Sequence, residues 1–478
     1  MSGSHPAAAP HAPVAIHWFR RDLRLADNPA LTAAARHGRV LPVVIDDPDR
    51  PDEHAPGAAY AWWRHHSLAA LDKALGGHLR VLRGDVARLL PALAARHGAT
   101  LVTWSRAAEP WIAKRDEAIA AALQAEGIAV RTENGSLLWE PWELAGPGGG
   151  CCRVFSAFHR RCRALAPPPR PPLPAPELAV LPRAPDEPRL PDRAEAAWER
   201  KLARHWTIGE EAAQARLRRF VAEKLRGYAK GRDYPSRAHG SRLSPHLAHG
   251  EISPHVIWHA VADAAPAADV AAFRAELVWR EFAHHLLFHF PRMADEPLRP
   301  AFRTFAWRQD PDLLAAWQRG RTGIPLVDAG MRELWETGFM HNRVRMVAAS
   351  FLVKNLLIDW RAGESWFRDC LVDFSFAANA FNWQWVADCG TDAAPYFRIF
   401  NPVTQARKFD PDGAYIRRFV PELAKLPARW IGSPWMAPGT VREAAGLRPA
   451  RDYPAPIVDL AESRARALEA YRTGKGAP

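Results

Sequence analysis

Short apolar runs alternate with amphipathic segments over the first 140 residues of the chain. The apolar runs predict buried strands at Val14–Phe19, Val40–Ile45, Leu79–Leu82, Leu101–Trp104 and Ala129–Thr132. Between them, apolar residues recur every three or four positions, which predicts helices at Pro29–His37, Ala58–Leu75, Val86–His97 and Pro110–Glu126. Strands that alternate with helices are typical of a parallel sheet covered on both faces. We therefore predict a Rossmann-like α/β domain over residues 14–140, although neither GxGxxG nor a Walker A motif marks a nucleotide site in it.

The pattern changes after this region. Residues 166–192 contain 11 prolines in 27 positions, which excludes helices and central strands. From about Trp206 onward the spacing of apolar residues is helical. The predicted helices are Glu210–Lys230, Pro254–Ala264, Ala268–Phe290, Pro311–Arg319, Pro325–Glu336, Asn342–Trp360 and Ile457–Arg472. We predict a disordered tail at 1–13, a proline-rich interdomain linker at 141–205 and an all-helical domain at 206–478.

Composition narrows the class of protein. The 48% of hydrophobic residues excludes a disordered chain, and no apolar run approaches the about 18 residues that span a bilayer. The five cysteines show no metal or disulfide spacing, and Met1–Pro13 lacks a signal-peptide pattern. We expect a soluble, intracellular protein without contact with a membrane.

The net charge of +12 is uneven, with +7 of it in residues 206–478. A basic helical region favours an anionic partner such as nucleic acid. An arginine-rich proteome with GC-rich codons would produce the same excess. Both interpretations of the charge stay open.

Three segments of the helical region combine aromatic, basic and amide side chains. The turn Gly240–Ser244 suits a phosphate, although an ordinary helix cap would look the same. Glu276, Trp279 and Arg280 share one helical face, where a simple i,i+4 ion pair beside a core tryptophan is the alternative. The third segment, 341–402, holds so many polar and aromatic groups that a large planar ligand with polar edges would explain their burial.

These three segments, together with the run Trp18–Arg24 followed by Asp27 and Asn28, resemble the DNA photolyase/cryptochrome family. The resemblance extends from about residue 14 to about residue 470 and is greatest to bacterial class I cyclobutane pyrimidine dimer photolyases. It implies an α/β antenna domain joined to a helical domain that binds FAD. It also implies light-driven repair of UV-damaged DNA, in which excited FADH⁻ transfers an electron to a flipped-out dimer and the electron then returns. The resemblance further implies a cytoplasmic bacterial protein that acts as a monomer.

The resemblance implies a set of flavin-binding residues. Arg345 and Asp373 would form an ion pair beside the isoalloxazine, and Asn379 would face flavin N5, where plant cryptochromes carry Asp. Ser375 stands where the family usually has Asp. The full set is Tyr228, Gly240, Ser241, Arg242, Leu243, Ser244, Phe273, Arg280, Asn342, Arg345, Asp373, Phe374, Ser375 and Asn379.

The resemblance also implies residues for DNA. Glu276 would hydrogen-bond the thymine edges, Trp279 and Trp383 would line the apolar wall, and Asn342 and Met346 would close the floor. The candidates for phosphate contacts are Arg232, Arg343, Arg398, Gln405 and Lys408.

Two further roles follow from the resemblance. Trp383, Trp360 and Trp307 would be the proximal, middle and distal members of an electron-transfer chain to the flavin, with core packing as the alternative for each. Glu109 matches a position that binds a methenyltetrahydrofolate antenna in some relatives, which favours folate over deazaflavin; an isolated surface glutamate is the alternative.

Other functions are less consistent with the sequence. A cryptochrome-like photoreceptor often carries a long C-terminal extension, and a (6-4) photoproduct enzyme normally needs a histidine at the lesion. A metal-dependent hydrolase is suggested by the 20 histidines and by His284, His285 and His289. These lack the glutamate of an HExxH helix, so we predict no metal site.

Overall fold

The N-terminal region is a five-stranded parallel sheet with helices on both faces. A computed structural model describes residues 12–47, 55–145, 150–164, 168–392, 397–448 and 450–475, so most of the predicted tail lies outside the described residues. The strands are β1 (Val14–Phe19), β2 (Arg39–Asp46), β3 (Arg80–Arg83), β4 (Ala99–Ser105) and β5 (Ala129–Glu133). Their order is β3-β2-β1-β4-β5, with all neighbours parallel. The predicted α/β fold is confirmed.

Most predicted helices begin and end close to the observed positions, and the described residues form several further helices after residue 150 that were not predicted. In the N-terminal region they are α1 (Pro29–His37), α2 (Ala58–Ala74), α3 (Val86–His97) and α4 (Pro110–Ala125). Further along the chain they are α5 (Phe155–Ala164), α6 (Ala197–Ala203), α7 (Glu210–Glu223), α8 (Tyr228–Gly231), α9 (Ser244–His249), α10 (Pro254–Ala260), α11 (Ala267–His289), α12 (Pro311–Gln318), α13 (Pro325–Thr337), α14 (Asn342–Ser350), α15 (Trp360–Cys370), α16 (Phe376–Ala387), α17 (Pro402–Phe409), α18 (Ala414–Phe419), α19 (Ala428–Ile431), α20 (Gly439–Ala444) and α21 (Leu460–Lys475).

The order of the strands creates a switch point between β1 and β4. Helices α1 and α2 pack on one face of the sheet and α3 and α4 on the other. The connections that follow β1 and β4 therefore leave in opposite directions and open a crevice at the carboxyl ends of these strands. Phe19 and Ser105, the last residues of the two strands, both line a cavity there.

The proline-rich segment is fixed to the sheet. Val180 forms a parallel bridge with Val40 of β2, and Arg80 of β3 forms a buried ion pair with Glu187 at 2.8 Å. The predicted linker 141–205 also contains α5 and α6. The boundaries that we assigned to the domains remain predictions.

Two predicted helices are divided. Glu210–Lys230 breaks at Gly227, which has φ of +83° and separates α7 from α8. The predicted helix Asn342–Trp360 continues from α14 into a wide turn of π-helix, Phe351–Asn355, and ends before Leu357, whose φ is +55°. The chain starts again at α15, where the carboxylate of Asp359 accepts the backbone N–H of Arg361. The apolar spacing continues across both breaks, so it gave no sign of them.

Buried polar contacts join the sheet to the helical region. Arg24, 2% exposed, donates to the carbonyl oxygens of Gly135 at 2.6 Å and Gly250 at 3.0 Å. The indole of Trp63 donates to Glu251 at 2.9 Å. The helical region has a continuous apolar core that also takes in Tyr60 from α2. Among the described residues, no helix combines the length and apolarity needed to cross a bilayer.

Candidate functional site

A cavity of about 860 Å³ lies between the carboxyl edge of the sheet and the helical region. Its volume is in the range of sites that bind cofactors or small ligands. Most of the predicted flavin-binding residues line it, and the predicted antenna residue Glu109 lines it too. These residues are Tyr228, Gly240, Ser241, Arg242, Leu243, Ser244, Phe273, Arg280, Asn342, Arg345, Asp373, Phe374 and Ser375.

The turn Gly240–Ser244 places a buried cation in the cavity wall. Arg242 has φ of +54°, and its guanidinium lies 4.3 Å from the ring of Trp206 and 5.0 Å from that of Phe339. Nε and Nη2 of Arg242 are buried, and neither has a hydrogen-bond partner among the described residues. Unpartnered buried guanidinium groups are costly, so this one fits an anionic ligand such as a phosphate.

The predicted ion pair between Arg345 and Asp373 is present. Nη2 of Arg345 lies 2.8 Å and 3.1 Å from the two carboxylate oxygens, and the hydroxyl of Ser244 donates to the same carboxylate at 2.6 Å. Nε of Arg345 donates to the carbonyl of Met340 at 2.7 Å. The pair therefore fixes the start of α9, the start of α14 and the segment before α16 around the cavity.

Helix α11 supplies a second set of charges. Glu276 pairs with Arg232, and Arg280 pairs with Glu281 at 3.0 Å. The simple i,i+4 pair between Glu276 and Arg280 is therefore not formed, because each side chain has another partner. Burial raises the pKa of Glu281 to about 7 despite its contact with Arg280. Glu276 and Arg232 are about one-third and one-fifth exposed, and both line the cavity.

Asn379 is the one predicted flavin-binding residue that does not line the cavity, although its neighbour Ala378 does. Its Nδ2 donates to the carboxylate of Glu364 at 2.8 Å and to the carbonyl of the same residue at 3.1 Å. Because both partners are acceptors, the amide is held with its nitrogen toward α15. Glu364 also accepts from Arg368 at 2.9 Å. Sequence analysis missed Glu364, whose only signal was its i,i+4 spacing from Arg368.

Three other lining residues were not predicted, because nothing in their sequence pattern marks them as part of a site. Phe339, Met340 and His341 precede α14 and line the cavity, and Nδ1 of His341 accepts the backbone N–H of Arg343 at the start of the helix. Burial lowers the pKa of His341 to about 4, so its ring is neutral at pH 7. A histidine before a helix is an ordinary capping residue in sequence, and only the fold places it at a cavity.

The three tryptophans of the predicted electron-transfer chain lie on connected elements. Trp383 and Trp360 are 2% and 1% exposed, whereas Trp307 is half-buried. The ring of Trp383 packs against Gly363, one turn beyond Trp360 on α15. The backbone N–H of Arg308 donates to the carbonyl of Leu357 at 2.7 Å, which holds the segment of Trp307 beside the start of α15. Their role in electron transfer stays a prediction.

The expected contact of Trp383 with a lesion does not fit its position. Trp383 is enclosed by Phe367 at 5.0 Å and Trp317 at 6.2 Å between ring centroids. Trp385, two residues along α16, is partly exposed, and the guanidinium of Arg398 lies 5.7 Å from its ring. Residues two apart on a helix face nearly opposite directions, so Trp385 is the better candidate for the surface.

Trp279 is covered on both sides. Phe155 stacks on it with centroids 3.4 Å apart and Phe381 with centroids 5.9 Å apart. Access of a ligand to the ring face of Trp279 would therefore require movement of Phe155.

Of the remaining predicted DNA contacts, Asn342 lines the cavity, whereas Arg343, Met346, Gln405 and Lys408 do not. Asn342 is exposed at the cavity, and Arg343 and Met346 follow on the same helix. Arg343 donates to Asp233 at 2.6 Å, so its charge is already paired. On α17, Lys408 is exposed, and Oε1 of Gln405 is buried without a hydrogen-bond partner in the described part of the chain.

The end of the cavity at the sheet is rich in arginine. The guanidinium groups of Arg20 and Arg115 lie 4.8 Å and 5.4 Å from the ring of Trp18 on β1, and both pair with Asp116. Glu109 is 1% exposed and pairs with Arg21. Burial alone would raise the pKa of Glu109, but Arg21 outweighs it and holds the pKa at about 2. Glu109 is therefore a buried, ionised group and not an isolated surface glutamate.

Comparison with known proteins identifies the family. A model described as the FAD binding domain of DNA photolyase matches residues 273–473, and one described as DNA photolyase matches residues 15–177. The chain is thus a flavin-binding protein of two regions, as its cavity indicates. It belongs to the DNA photolyase family, to which cryptochromes are also related.

Individual relatives refine this assignment. A deoxyribodipyrimidine photo-lyase of Agrobacterium fabrum is 47% identical over 97% of this chain and 98% of its own length. Cryptochrome-1 of Arabidopsis thaliana is 38% identical over 95% of this chain and 70% of its own length. The crystal structure of a bacterial class III photolyase from Agrobacterium tumefaciens superposes with a TM-score of 0.93 at 45% identity, covering 99% of this chain and 100% of that one. The predicted family is confirmed, whereas these comparisons do not support placement in class I.

Proposed function

We propose that this protein repairs cyclobutane pyrimidine dimers in UV-damaged DNA with the energy of light, and that it belongs to class III of the photolyases. The supporting observation is the cavity, which is lined by Arg242, with two buried and unpartnered guanidinium nitrogens, and by the Arg345–Asp373 pair. The photo-lyase and the class III structure from Agrobacterium, both alike over nearly the whole chain, support the same activity.

The residues present fit FAD. Arg242 offers two unpartnered N–H groups for a phosphate, Tyr228 and Phe273 form an apolar wall, and Arg345 and Asp373 offer polar atoms to the edge of a ring. When bound, the reduced flavin supplies the light-excited electron that splits the dimer. The protein itself binds and orients that group and keeps the surrounding charges paired.

The lesion would enter beside α11 and α14. Glu276 is held by Arg232 with about one-third of its side chain exposed, so its second oxygen can accept hydrogen bonds from a base edge. Asn342 presents an exposed amide at the same cavity. Trp385 and Arg398 provide a stacking surface and a cation for the adjoining DNA.

An antenna chromophore would bind at the end of the cavity beside the sheet. We propose methenyltetrahydrofolate over deazaflavin, because Arg20, Arg64 and Arg115 line this end and suit the carboxylates of a folate tail. Each of these arginines already pairs with an aspartate: Arg20 with Asp116, Arg64 with Asp46, and Arg115 with Asp47 and Asp116. Nε of Arg115 is buried without a partner among the described residues and is the group offered to the ligand. Glu109 would act indirectly, by holding Arg21 in place.

The test uses purified protein with bound flavin, photoreduced, and an oligonucleotide that carries one thymine dimer. Repair under near-UV light and none in the dark is the expected result. Glu276→Gln should slow repair while leaving the flavin content unchanged, and exposed Glu443→Gln is a matched control for the loss of one charge. A flavin-bound protein without light-dependent repair would refute the proposal in favour of a photoreceptor, and repair of (6-4) photoproducts alone would refute the substrate.

We also propose that the protein acts as a monomer. A photolyase that elutes as a dimer and loses repair on dilution would contradict this.

A further inference from the structure

Three side chains that can ligate a metal meet outside the cavity. They are Cys151, His285 and His289, and one ligand atom of each lies within 4.8 Å of the others. His285 and His289 are four apart on the last turns of α11, so they share one face of the helix, with ring centroids 4.6 Å apart. Cys151 precedes α5 and is 134 residues from His285 along the chain. We predicted no metal site from the sequence because these histidines lack the glutamate of an HExxH helix, and the distant Cys151 was not considered as a partner.

The orientation of His285 directs the lone pair of its Nε2 toward the segment of Cys151 and Cys152. Its Nδ1 lies 3.2 Å from the carbonyl of Pro141, so this nitrogen carries the hydrogen and donates it. Its Nε2 then accepts, receiving the backbone N–H of Cys152 at 3.1 Å. A carbonyl that fixes the tautomer of a histidine is the usual outer partner of a metal-ligating imidazole.

The spacing of the cluster fits a tetrahedral ion. With Zn–S of about 2.3 Å and Zn–N of about 2.05 Å, the sulfur and nitrogen ligands are separated by about 3.6 Å. Sγ of Cys151 and Nε2 of His285 are 3.5 Å apart. Nε2 of His289 is buried, with no hydrogen-bond partner in the described part of the chain. A metal ion would give this nitrogen a partner. It would replace the contacts of Nε2 of His285 with the N–H of Cys152 and of the Cys151 thiol with the carbonyl of Cys152.

We propose that Cys151, His285 and His289 form a binding site for one Zn²⁺ ion, with a water molecule as the fourth ligand. Thiolate and imidazole are the ligands that zinc prefers, and the partial exposure of Cys151 and His289 leaves one side open to solvent. The Cys151 thiol releases its proton to solvent when the ion binds.

The location of the site suggests what it does. Cys151 is four residues from Phe155, which stacks on Trp279, and Trp279 lies on the same helix as the two histidines. A bound ion would clamp the segment Cys151–Phe155 onto α11 and keep Phe155 over Trp279. Because none of the three ligands lines the cavity, the clamp is separate from flavin binding.

The experiment is a Zn²⁺ titration of the flavin-loaded protein, stripped of metal, in competition with a chromophoric chelator. The wild type should bind one equivalent and unfold at a higher temperature with Zn²⁺ present. Cys151→Ser and His289→Gln should each weaken binding at least tenfold and lose this shift. Cys152→Ser is the matched control, because Cys152 is the adjacent cysteine but not part of the cluster, and should bind as the wild type does.

Cobalt gives an independent readout. Co²⁺ bound to a thiolate in a tetrahedral site absorbs in the red, beyond oxidised flavin, and this absorption should be lost in Cys151→Ser. An unchanged flavin content will show that each variant is folded. Wild-type protein without stoichiometric binding would overturn the proposal, and so would binding that survives in Cys151→Ser but fails in Cys152→Ser.

Discussion

Glu364 controls which atom of Asn379 is free to meet a ligand. The carboxylate and the carbonyl of Glu364 both accept from Nδ2 of Asn379, at 2.8 Å and 3.1 Å. No hydrogen bond to Oδ1 of Asn379 occurs among the described residues, so the oxygen is left as an acceptor. If Asn379 faces flavin N5, as the family resemblance implies, this oxygen accepts the hydrogen that N5 carries only when the flavin is reduced. Glu364 therefore favours the reduced cofactor.

Glu364→Gln should lower the midpoint potential of the flavin by about 30 mV. A glutamine can offer its own oxygen or its own NH₂ group to Asn379, so the amide is no longer held in one orientation. Loss of this preference costs about the difference between a charge-assisted and a neutral hydrogen bond, roughly 1.4 kcal/mol, which corresponds to about 30 mV for a two-electron couple. The change removes one charge, so Glu443→Gln, at an exposed position, is the matched control.

Spectroelectrochemical titration of each purified protein measures this potential directly. The wild type and Glu443→Gln should agree, while Glu364→Gln should be lower. An unfolded variant would be recognised by loss of bound flavin. A folded Glu364→Gln protein whose potential equals that of the wild type would refute the argument, because the orientation of the Asn379 amide would then have no influence on the cofactor.

Four further changes test other parts of the molecule. Trp307→Phe should slow photoreduction of oxidised flavin while sparing repair by enzyme that is already reduced; equal loss of both would contradict the electron-transfer role. Arg242→Gln should weaken FAD binding at least tenfold in equilibrium dialysis, since the buried N–H groups lose their charge; unchanged affinity would place the phosphate elsewhere. Trp385→Ala should weaken binding to dimer-containing DNA by about 1–3 kcal/mol without loss of flavin, as measured by fluorescence anisotropy, and no change would exclude a stacking role. Burial holds the pKa of His17 at about 4 in the folded protein, against about 6.5 in the unfolded chain. Between pH 7 and pH 5 only the unfolded chain takes up this proton, so the free energy of unfolding falls by about 2 kcal/mol. Urea unfolding of His17→Gln should lack this part of the pH dependence, and a pH profile identical to that of the wild type would show that His17 does not contribute.

The elements predicted with the correct bounds are those whose pattern of apolar residues can be read from the segment itself. The strand Val14–Phe19 and the helices Pro29–His37 and Val86–His97 have the predicted bounds, because buried strands and amphipathic helices carry their own pattern. Helix breaks at Gly227 and Leu357 were missed, because the apolar spacing continues across both of them. The cluster of Cys151 with His285 was also not predicted, because only the tertiary fold brings such distant residues together.

The two tryptophans of α16 could have been assigned to opposite faces of the helix from the sequence alone. An α-helix advances about 100° per residue, so Trp383 lies on the side of Asn379, four positions earlier, and Trp385 lies on the side of Phe381. The assignment of Trp383 to both the electron-transfer chain and the lesion therefore required one side chain to face two opposite directions. The structure agrees with the helical phase, since Trp383 is 2% exposed and Phe381 lies beside Trp279 at 5.9 Å. Helical phase thus separates the two roles: the face of Asn379 and Trp383 is directed to the interior, and the face of Phe381 and Trp385 adjoins the aromatic surface of α11.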